Sequence, residues 1–261
     1  MVYTEQFFNS LNDGSLQSAR EVVPFVMKLL QPKRVVDVGC GLGAWLSVFQ
    51  ENGIQDFLGM DGEYINTSQL CIPLSNFLSH DLRTEIKLEK EFDLAMSLEV
   101  AEHLPNENAE DFVELLTSLA PVVLFSAAVP YQPGDDHVNT QWLEYWMELF
   151  KHKGYIPVDC LRMRFWQNQK VKWWYAQNAL LFVKESHLEK YPLLKQELNC
   201  TEEIPPSLIH PELYLLYLRT HLALRDSWDF DKMPLNKLWL IFKAVTKRMI
   251  LRGLNIFSKN S

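Results

Sequence analysis

The chain has 261 residues, 48% of them hydrophobic and 22% charged, a composition that excludes a largely disordered protein. Its net charge of −8 speaks against a body built to hold nucleic acid, because phosphates need a basic face. No apolar run approaches the roughly 18 residues of a membrane-spanning helix. The N-terminus "MVYTEQFFNS" lacks a basic segment followed by an apolar one, and Cys40, Cys71, Cys160 and Cys200 are scattered without pairing. A cytoplasmic protein with free thiols is expected.

The elements follow in chain order. Residues 15–30 have helical apolar spacing with Pro24 inside. "RVVDVG" (34–39) reads as a buried strand ending in glycine, and "AWLSVFQENG" as a helix with Gly53 beyond its end. Further strands are expected at 56–62, 76–82, 92–98 and 122–130, and helices at 109–120 and 140–154, the latter capped by Thr140 and followed by Gly154. "YIPVDCLRMRFW" and "WYAQNALLFVK" read as two late strands around an aromatic-rich loop. Such alternation predicts an α/β fold, a mostly parallel sheet with helices on both faces and an antiparallel edge pair. From about residue 186 to 261 the pattern is a helical extension, set apart from a main domain over 1–185.

"VVDVGCGLGAWL" places Gly39, Gly41 and Gly43 where the first strand opens into a helix, a turn that lets backbone approach a ligand closely. Three acids sharpen this signal. Asp37 lies within the strand, where a carboxylate suits a cationic ligand and repels a phosphate. Asp61 ends the second strand, placed for ribose hydroxyls. Asp81 ends the third, where it can accept from an adenine amino group. Adenine, ribose and a positive tail without phosphate describe S-adenosylmethionine.

On these motifs the sequence resembles the class I S-adenosylmethionine-dependent methyltransferases: "VVDVGCGLG", "GMDG", "SHDL" and "FDLAMSLEVAEHL" look like that family's successive strand-end motifs. The resemblance covers roughly residues 15–185. It implies a Rossmann-like seven-stranded sheet in the order 3-2-1-4-5-7-6 with strand seven antiparallel. It also implies Gly39, Gly41 and Gly43 around the methionine part, Asp61 on the ribose, Asp81 and Leu82 near the adenine, and Leu98 close to the sulfonium.

"SLEVAEHLP" sets Glu99, Glu102 and His103 at spacing i, i+3, i+4, one face of a helix if a helix starts there. Two carboxylates and an imidazole are a partial shell for a divalent cation. The loop "PYQPGDDHVN" adds His137, with Asp135 and Asp136 able to substitute for it or support it. E-x-x-E-H followed by a later histidine resembles the ubiquinone-biosynthesis O-methyltransferases and the small-RNA 2′-O-methyltransferases. That resemblance implies a divalent metal (Mg, Mn, Fe or Zn) on Glu99, Glu102, His103 and His137, holding vicinal oxygens of the acceptor. Two metal-free alternatives stay open: His103 as a lone general base, or a structural cluster whose glutamates cap backbone N–H groups.

Aromatic residues Trp166, Trp173, Trp174 and Tyr175 beside polar amides suit a sugar or aromatic acceptor, unless they pack on the sheet. From Lys232 onward every charged side chain is basic, and 237–257 is apolar at helical spacing. That stretch fits a terminal helix packed on the domain or across a homodimer, or one lying on an anionic membrane surface. The expected activity is O-methylation of a small hydroxylated acceptor, a sugar or catechol-like diol, with nucleic acid disfavoured. The alternatives are metal-free N- or carboxyl-methylation in natural-product tailoring and a non-catalytic cofactor-binding scaffold.

Overall fold

The computed structural model describes residues 5–201, 205–227 and Lys243. The chain divides into two compact units, Met1–His210 and Pro211–Ser261. Residues 186–210, assigned by the sequence to the extension, cluster with the first unit. In the second, the described helix runs Pro211–Ser227. The basic tail from Lys232 and the amphipathic stretch 237–257, with their membrane and dimer readings, lie outside the described residues apart from Lys243. Among the described residues no helix is long and apolar enough to cross a membrane.

The first unit begins with α1 (Glu5–Leu30), which runs through Pro24 and ends at Gln31, a residue with φ +47 ahead of Pro32. There follow β1 (Arg34–Val38), α2 (Ala44–Glu51), β2 (Asp56–Asp61), β3 (Phe77–Ser79), β4 (Leu94–Leu98), α3 (Ala109–Leu119), β5 (Val122–Ser126), α4 (Leu143–His152) and β6 (Tyr155–Val158). Two short helices, α5 (Arg162–Phe165) and α6 (Trp173–Asn178), lead to β7 (Leu180–Lys184) and then α7 (Pro192–Thr201). All seven strands join one sheet in the order β3-β2-β1-β4-β5-β7-β6. β7 pairs antiparallel with both β5 and β6, and the other pairings are parallel. This is the Rossmann-like topology the resemblance implies.

Side chains alternate between two cores, as the strand period of two requires. Val122 and Leu124 face the core shared with α1 and α2, whereas Val123 and Phe125 face the one shared with α3 and α4. Both sheet faces are therefore covered, which is why β4 and β5 read as largely apolar runs, and β1 too apart from Arg34 and Asp37. On the α4 side Phe150 stacks on Phe182 at 3.9 Å between centroids.

Several expected elements are corrected. The aromatic stretches read as strand by composition, yet only 155–158 and 180–184 pair in the sheet. Pro157 is tolerated because β6 is an edge strand. Residues 173–178 wind into α6 because Tyr175 and Ala176 bury there, the Tyr175 ring meeting Trp45 edge-on at 5.1 Å and its hydroxyl reaching Ser15 Oγ. The 122–130 run stops pairing at Ser126. α4 starts at Leu143, with Trp142 rather than Thr140 in the N-cap position and no side-chain cap. Gly53 and Gly154 do end their helices, with φ +98 and +77.

Candidate active site

The parallel strands deliver their carboxyl ends to one edge of the sheet, where α/β folds bind ligands. A cavity of about 780 Å³ opens there, lined by Gly39 and Gly41 after β1, Asp61 to Ile65 after β2, Asp81 to Arg83 after β3, and Glu99, Val100, His103 and Leu104 after β4, with Asp136 from the loop after β5. Eight residues singled out by the sequence therefore line it: Gly39, Gly41, Asp61, Asp81, Leu82, Glu99, His103 and Asp136. Five others do not. Asp37 is buried within β1, Leu98 belongs to the core, Gly43 backs onto Ile72, and Glu102 and His137 stay out of the lining although their ligand atoms come within 4.8 Å of that of His103.

The glycine turn is shaped for a ligand. Gly41 has φ +54, and a Cβ built there would meet no atom within 4 Å, so the space above it is open. Gly39 and Gly43 are also left-handed, but a Cβ on them would strike Val100 at 2.4 Å and Ile72 at 2.8 Å. The three glycines thus do different work: Gly41 leaves room for a ligand, and its neighbours permit close packing of the walls.

Asp61 is the best-held acid in the cavity. Its Oδ2 accepts from the Gly41 N–H at 2.7 Å, and its Oδ1 accepts from the Gly62 N–H at 2.7 Å and from the Tyr64 hydroxyl. Burial raises its pKa, and these donors oppose the rise. Asp37 is pushed up to about 8 by burial and by the charge on Asp61. Asp81 is paired with Arg83, which holds it down at about 2. Tyr64 and Arg83 were not singled out from the sequence, although each sits within three residues of a strand-end acid that was.

At the β4 end the chain does not form an α-helix. Glu99 is left-handed (φ +58), and a single 3₁₀ turn, Ala101–His103, follows. The i, i+3, i+4 face therefore does not exist as expected. Glu102, His103 and His137 bring ligand atoms within 4.8 Å of one another. Glu99 points elsewhere, its carboxylate accepting from Gln132 Nε2 at 2.6 Å and Asn178 Nδ2 at 3.1 Å.

Glu102 is buried, and neither of its oxygens has a hydrogen-bond partner. Burial, then the Glu99 charge, pushes its pKa well above the ordinary value; the Glu102 and Ala128 N–H groups, which fall short of hydrogen-bond geometry to the carboxyl, oppose this only in part. His137 Nδ1 faces the Gln132 carbonyl at 3.1 Å, which can only accept, so Nδ1 carries the proton and Nε2 keeps a free lone pair. The His103 and His137 rings meet edge-on at 5.0 Å. Burial lowers the pKa of both, and for His137 the neighbouring His103 lowers it further. Two neutral imidazoles and an unpartnered carboxyl are a donor set able to hold a divalent cation.

A methyltransferase-domain family matches residues 14–179. This chain belongs to that family. The methyltransferase draws its methyl group from S-adenosylmethionine, and the open space over Gly41 and the Asp61 carboxylate fit that ligand. Its structure is similar to the methyltransferase domain of bacterial CtHen1 (18% identity, 64% of this chain and 97% of that one, TM-score 0.46). It is also similar to magnesium protoporphyrin IX methyltransferase from Synechocystis PCC 6803 (19%, 66% and 84%, 0.47). A third is CalS10, an amino pentose methyltransferase from Micromonospora echinaspora (14%, 65% and 91%, 0.48). No curated protein sequence matches the chain.

Trp166, Trp173, Trp174 and Tyr175, expected to offer an acceptor platform, line no part of the cavity. Trp174 and Tyr175 pack into the α1/α2 core, and Trp166 lies against His210. What that segment contributes is Asn178. Composition flagged its amides without indicating their partner.

Proposed function

We propose that this methyltransferase methylates a hydroxyl of a small acceptor, a sugar or catechol-like diol, beside a divalent metal held by Glu102, His103 and His137. The carrying observation is the Glu102 carboxyl, buried without a donor and facing two neutral imidazoles. A buried group that lacks its partner in the fold is best explained by a ligand that supplies one. When bound, a divalent cation there would lower the pKa of a hydroxyl that it holds.

The chain's own residues account for the rest. Gly41 and Asp61 orient the cofactor, while Val100 and Leu104 give the cavity an apolar wall that limits water. Methyl transfer is an in-line displacement, so positioning supplies much of the rate. His103 lines the cavity and is neutral at pH 7, so an imidazole nitrogen can take the hydroxyl proton. Acids dominate the lining, and Arg83 is tied to Asp81, so an uncharged acceptor is favoured over a phosphorylated one.

One observation favours a second, metal-free reading: of the three clustered groups only His103 reaches the cavity. His103 would then act alone as the base. Methyl transfer to a panel of sugars, catechols and amines, run in EDTA and after Zn²⁺, Mn²⁺, Mg²⁺ or Fe²⁺ is restored, separates the two. Diol methylation that disappears in EDTA and returns with metal supports the first reading. Turnover indifferent to EDTA supports the second, and turnover on amines alone refutes O-methylation.

A further inference from the structure

Glu99 and Glu102 stand three residues apart in the same motif, yet their surroundings are opposite. Each Glu99 oxygen already has an amide donor, Gln132 Nε2 at 2.6 Å and Asn178 Nδ2 at 3.1 Å. The Glu99 N–H is fixed as well, to the Ser126 carbonyl and hydroxyl at the end of β5. To become a ligand, Glu99 would have to abandon both amides and leave buried donors unsatisfied. Glu102 has no donor to lose.

The amides around Glu99 form a relay with one direction. The His210 N–H donates to Gln177 Oε1 at 2.7 Å, which turns Gln177 Nε2 toward Asn178 Oδ1 at 2.9 Å. Asn178 Nδ2 is thereby aimed at Glu99 and at Gln132 Oε1, 2.9 Å away. Gln132 Nε2 then closes on Glu99. Every donor runs toward the carboxylate, and Gln132, Gln177 and Asn178 are buried, so each orientation is dictated by the link before it. The relay starts at His210, beyond the family match over 14–179.

Gln132 is the hub. Its side chain grips Glu99, and its main-chain carbonyl receives His137 Nδ1. Its own N–H is bonded to the Val129 carbonyl, which tightens the turn that leads into the loop. Farther along, the Val138 and Asn139 N–H groups both reach the Glu102 carbonyl. The loop after β5 is thus tied at two points to the β4 end, with His137 between them.

We propose that Glu99 is a positioning residue: with Gln132 and Asn178 it clamps the loop after β5, holds His137 in place, and stands outside the ligand set of the metal. The second half rests on reading Glu102, His103 and His137 as the metal site; the clamp itself does not. The ligand set is then one carboxylate and two imidazoles, which leaves coordination positions for the acceptor's vicinal oxygens and suits Zn²⁺ or Fe²⁺ better than Mg²⁺.

The test uses the full metal-free chain with Glu99→Gln, Gln132→Met and Glu102→Gln. Glu99→Gln keeps the shape but sets an amide donor against either Gln132 Nε2 or Asn178 Nδ2, and Gln132→Met removes the donor from the other side. Amide hydrogen exchange of residues 131–138 is expected to accelerate about ten- to hundredfold in both clamp variants, with the sheet unchanged. Glu102→Gln leaves that loop at the wild-type rate. In a Co²⁺ titration, Glu102→Gln loses about a hundredfold in affinity and the clamp variants about tenfold or less. Wild-type exchange rates in both clamp variants, or acceleration spread through the whole sheet, overturn the clamp. A Co²⁺ loss in Glu99→Gln equal to that of Glu102→Gln makes Glu99 a ligand and overturns the assignment. Should the wild-type protein take up no Co²⁺, the metal reading fails and the exchange rates alone decide the clamp.

Discussion

Glu102→Gln separates what the buried carboxyl costs the fold from what it does for a metal. In the metal-free protein Glu102 is unpartnered, and its pKa lies well above the ordinary value because of burial and then the Glu99 charge. The unfolded chain ionises the group near pH 4.3, while the folded chain keeps its proton, so between those pKa values the folded state binds about one more proton. Stability therefore falls as pH rises above the unfolded value, by on the order of 1 kcal/mol per unit for as long as only the folded chain keeps the proton. Glutamine does not titrate and lacks this slope. Glu99, pushed up to about 7 by burial, adds a slope of the same sign, and because its charge is one cause of the Glu102 shift, the comparison reads the titration of Glu102 together with that coupling. At about 2–4 °C per kcal/mol, the variant should gain several degrees on the wild type between pH 5 and pH 7 in EDTA. Zn²⁺ or Co²⁺ at pH 7 should reverse the advantage, raising the wild-type melting temperature and not that of the variant. Thermal melts at the two pH values, with EDTA and with metal, are the assay. Parallel curves in EDTA would mean that the carboxyl is already satisfied in the fold, and the reasoning would fail.

Gly41→Ala sends a methyl into open space at φ +54, so S-adenosylhomocysteine affinity by calorimetry should fall at least about tenfold for about 1 kcal/mol of stability. Gly43→Ala puts its methyl 2.8 Å from Ile72 Cγ1 and should register first as a lowered melting temperature. Asp61→Asn points an NH₂ group at the Gly41 or Gly62 amide and should weaken S-adenosylhomocysteine about ten- to hundredfold; an unchanged affinity would remove Asp61 from the cofactor site. Gly134→Ala places a methyl 2.0 Å from His137 Nε2, so Co²⁺ affinity by absorbance titration should drop while S-adenosylhomocysteine affinity holds.

The sheet was legible because its signals are local. β1, β4 and β5 are largely apolar runs ending at glycine, acid or small residues, and burial on both faces forces that pattern. The residues at strand ends were legible for the same reason: once the strands are placed, Asp61, Asp81, Glu99 and His103 follow at their tips. Contacts between distant segments could not be read. Nothing local in "WWYAQN" says that it winds into a helix under Trp45 or that Asn178 reaches a glutamate 79 positions earlier. Nor does spacing reveal that Glu99 is left-handed, which sends its carboxylate away from the turn carrying Glu102 and His103. Only a helix starting at Glu99 would align the three side chains, and the left-handed Glu99 backbone breaks that face.

The fold also shows where its own interactions stop. Among the described residues, seven buried side-chain polar atoms lack a hydrogen-bond partner, and four of them cluster by sequence and bonding: Ser97 Oγ in β4, both oxygens of Glu102, and Nδ2 of Asn139, whose N–H is bonded to the Glu102 carbonyl. The same region holds a relay in which every amide around Glu99 is satisfied and oriented. A packing fault would not divide so sharply between two glutamates three residues apart. The division follows if one carboxylate is spent within the protein, to fix a loop, and the other is kept free for a ligand. Removing the donors tests this directly: Asn178→Leu with Gln132→Met adds no titrating group and takes both amides from Glu99, so burial should push its pKa above the present value of about 7 and carry the loss of stability to higher pH. Stability in EDTA should then go on falling to higher pH than in the wild type, and an unaltered profile would show that the amides never held Glu99.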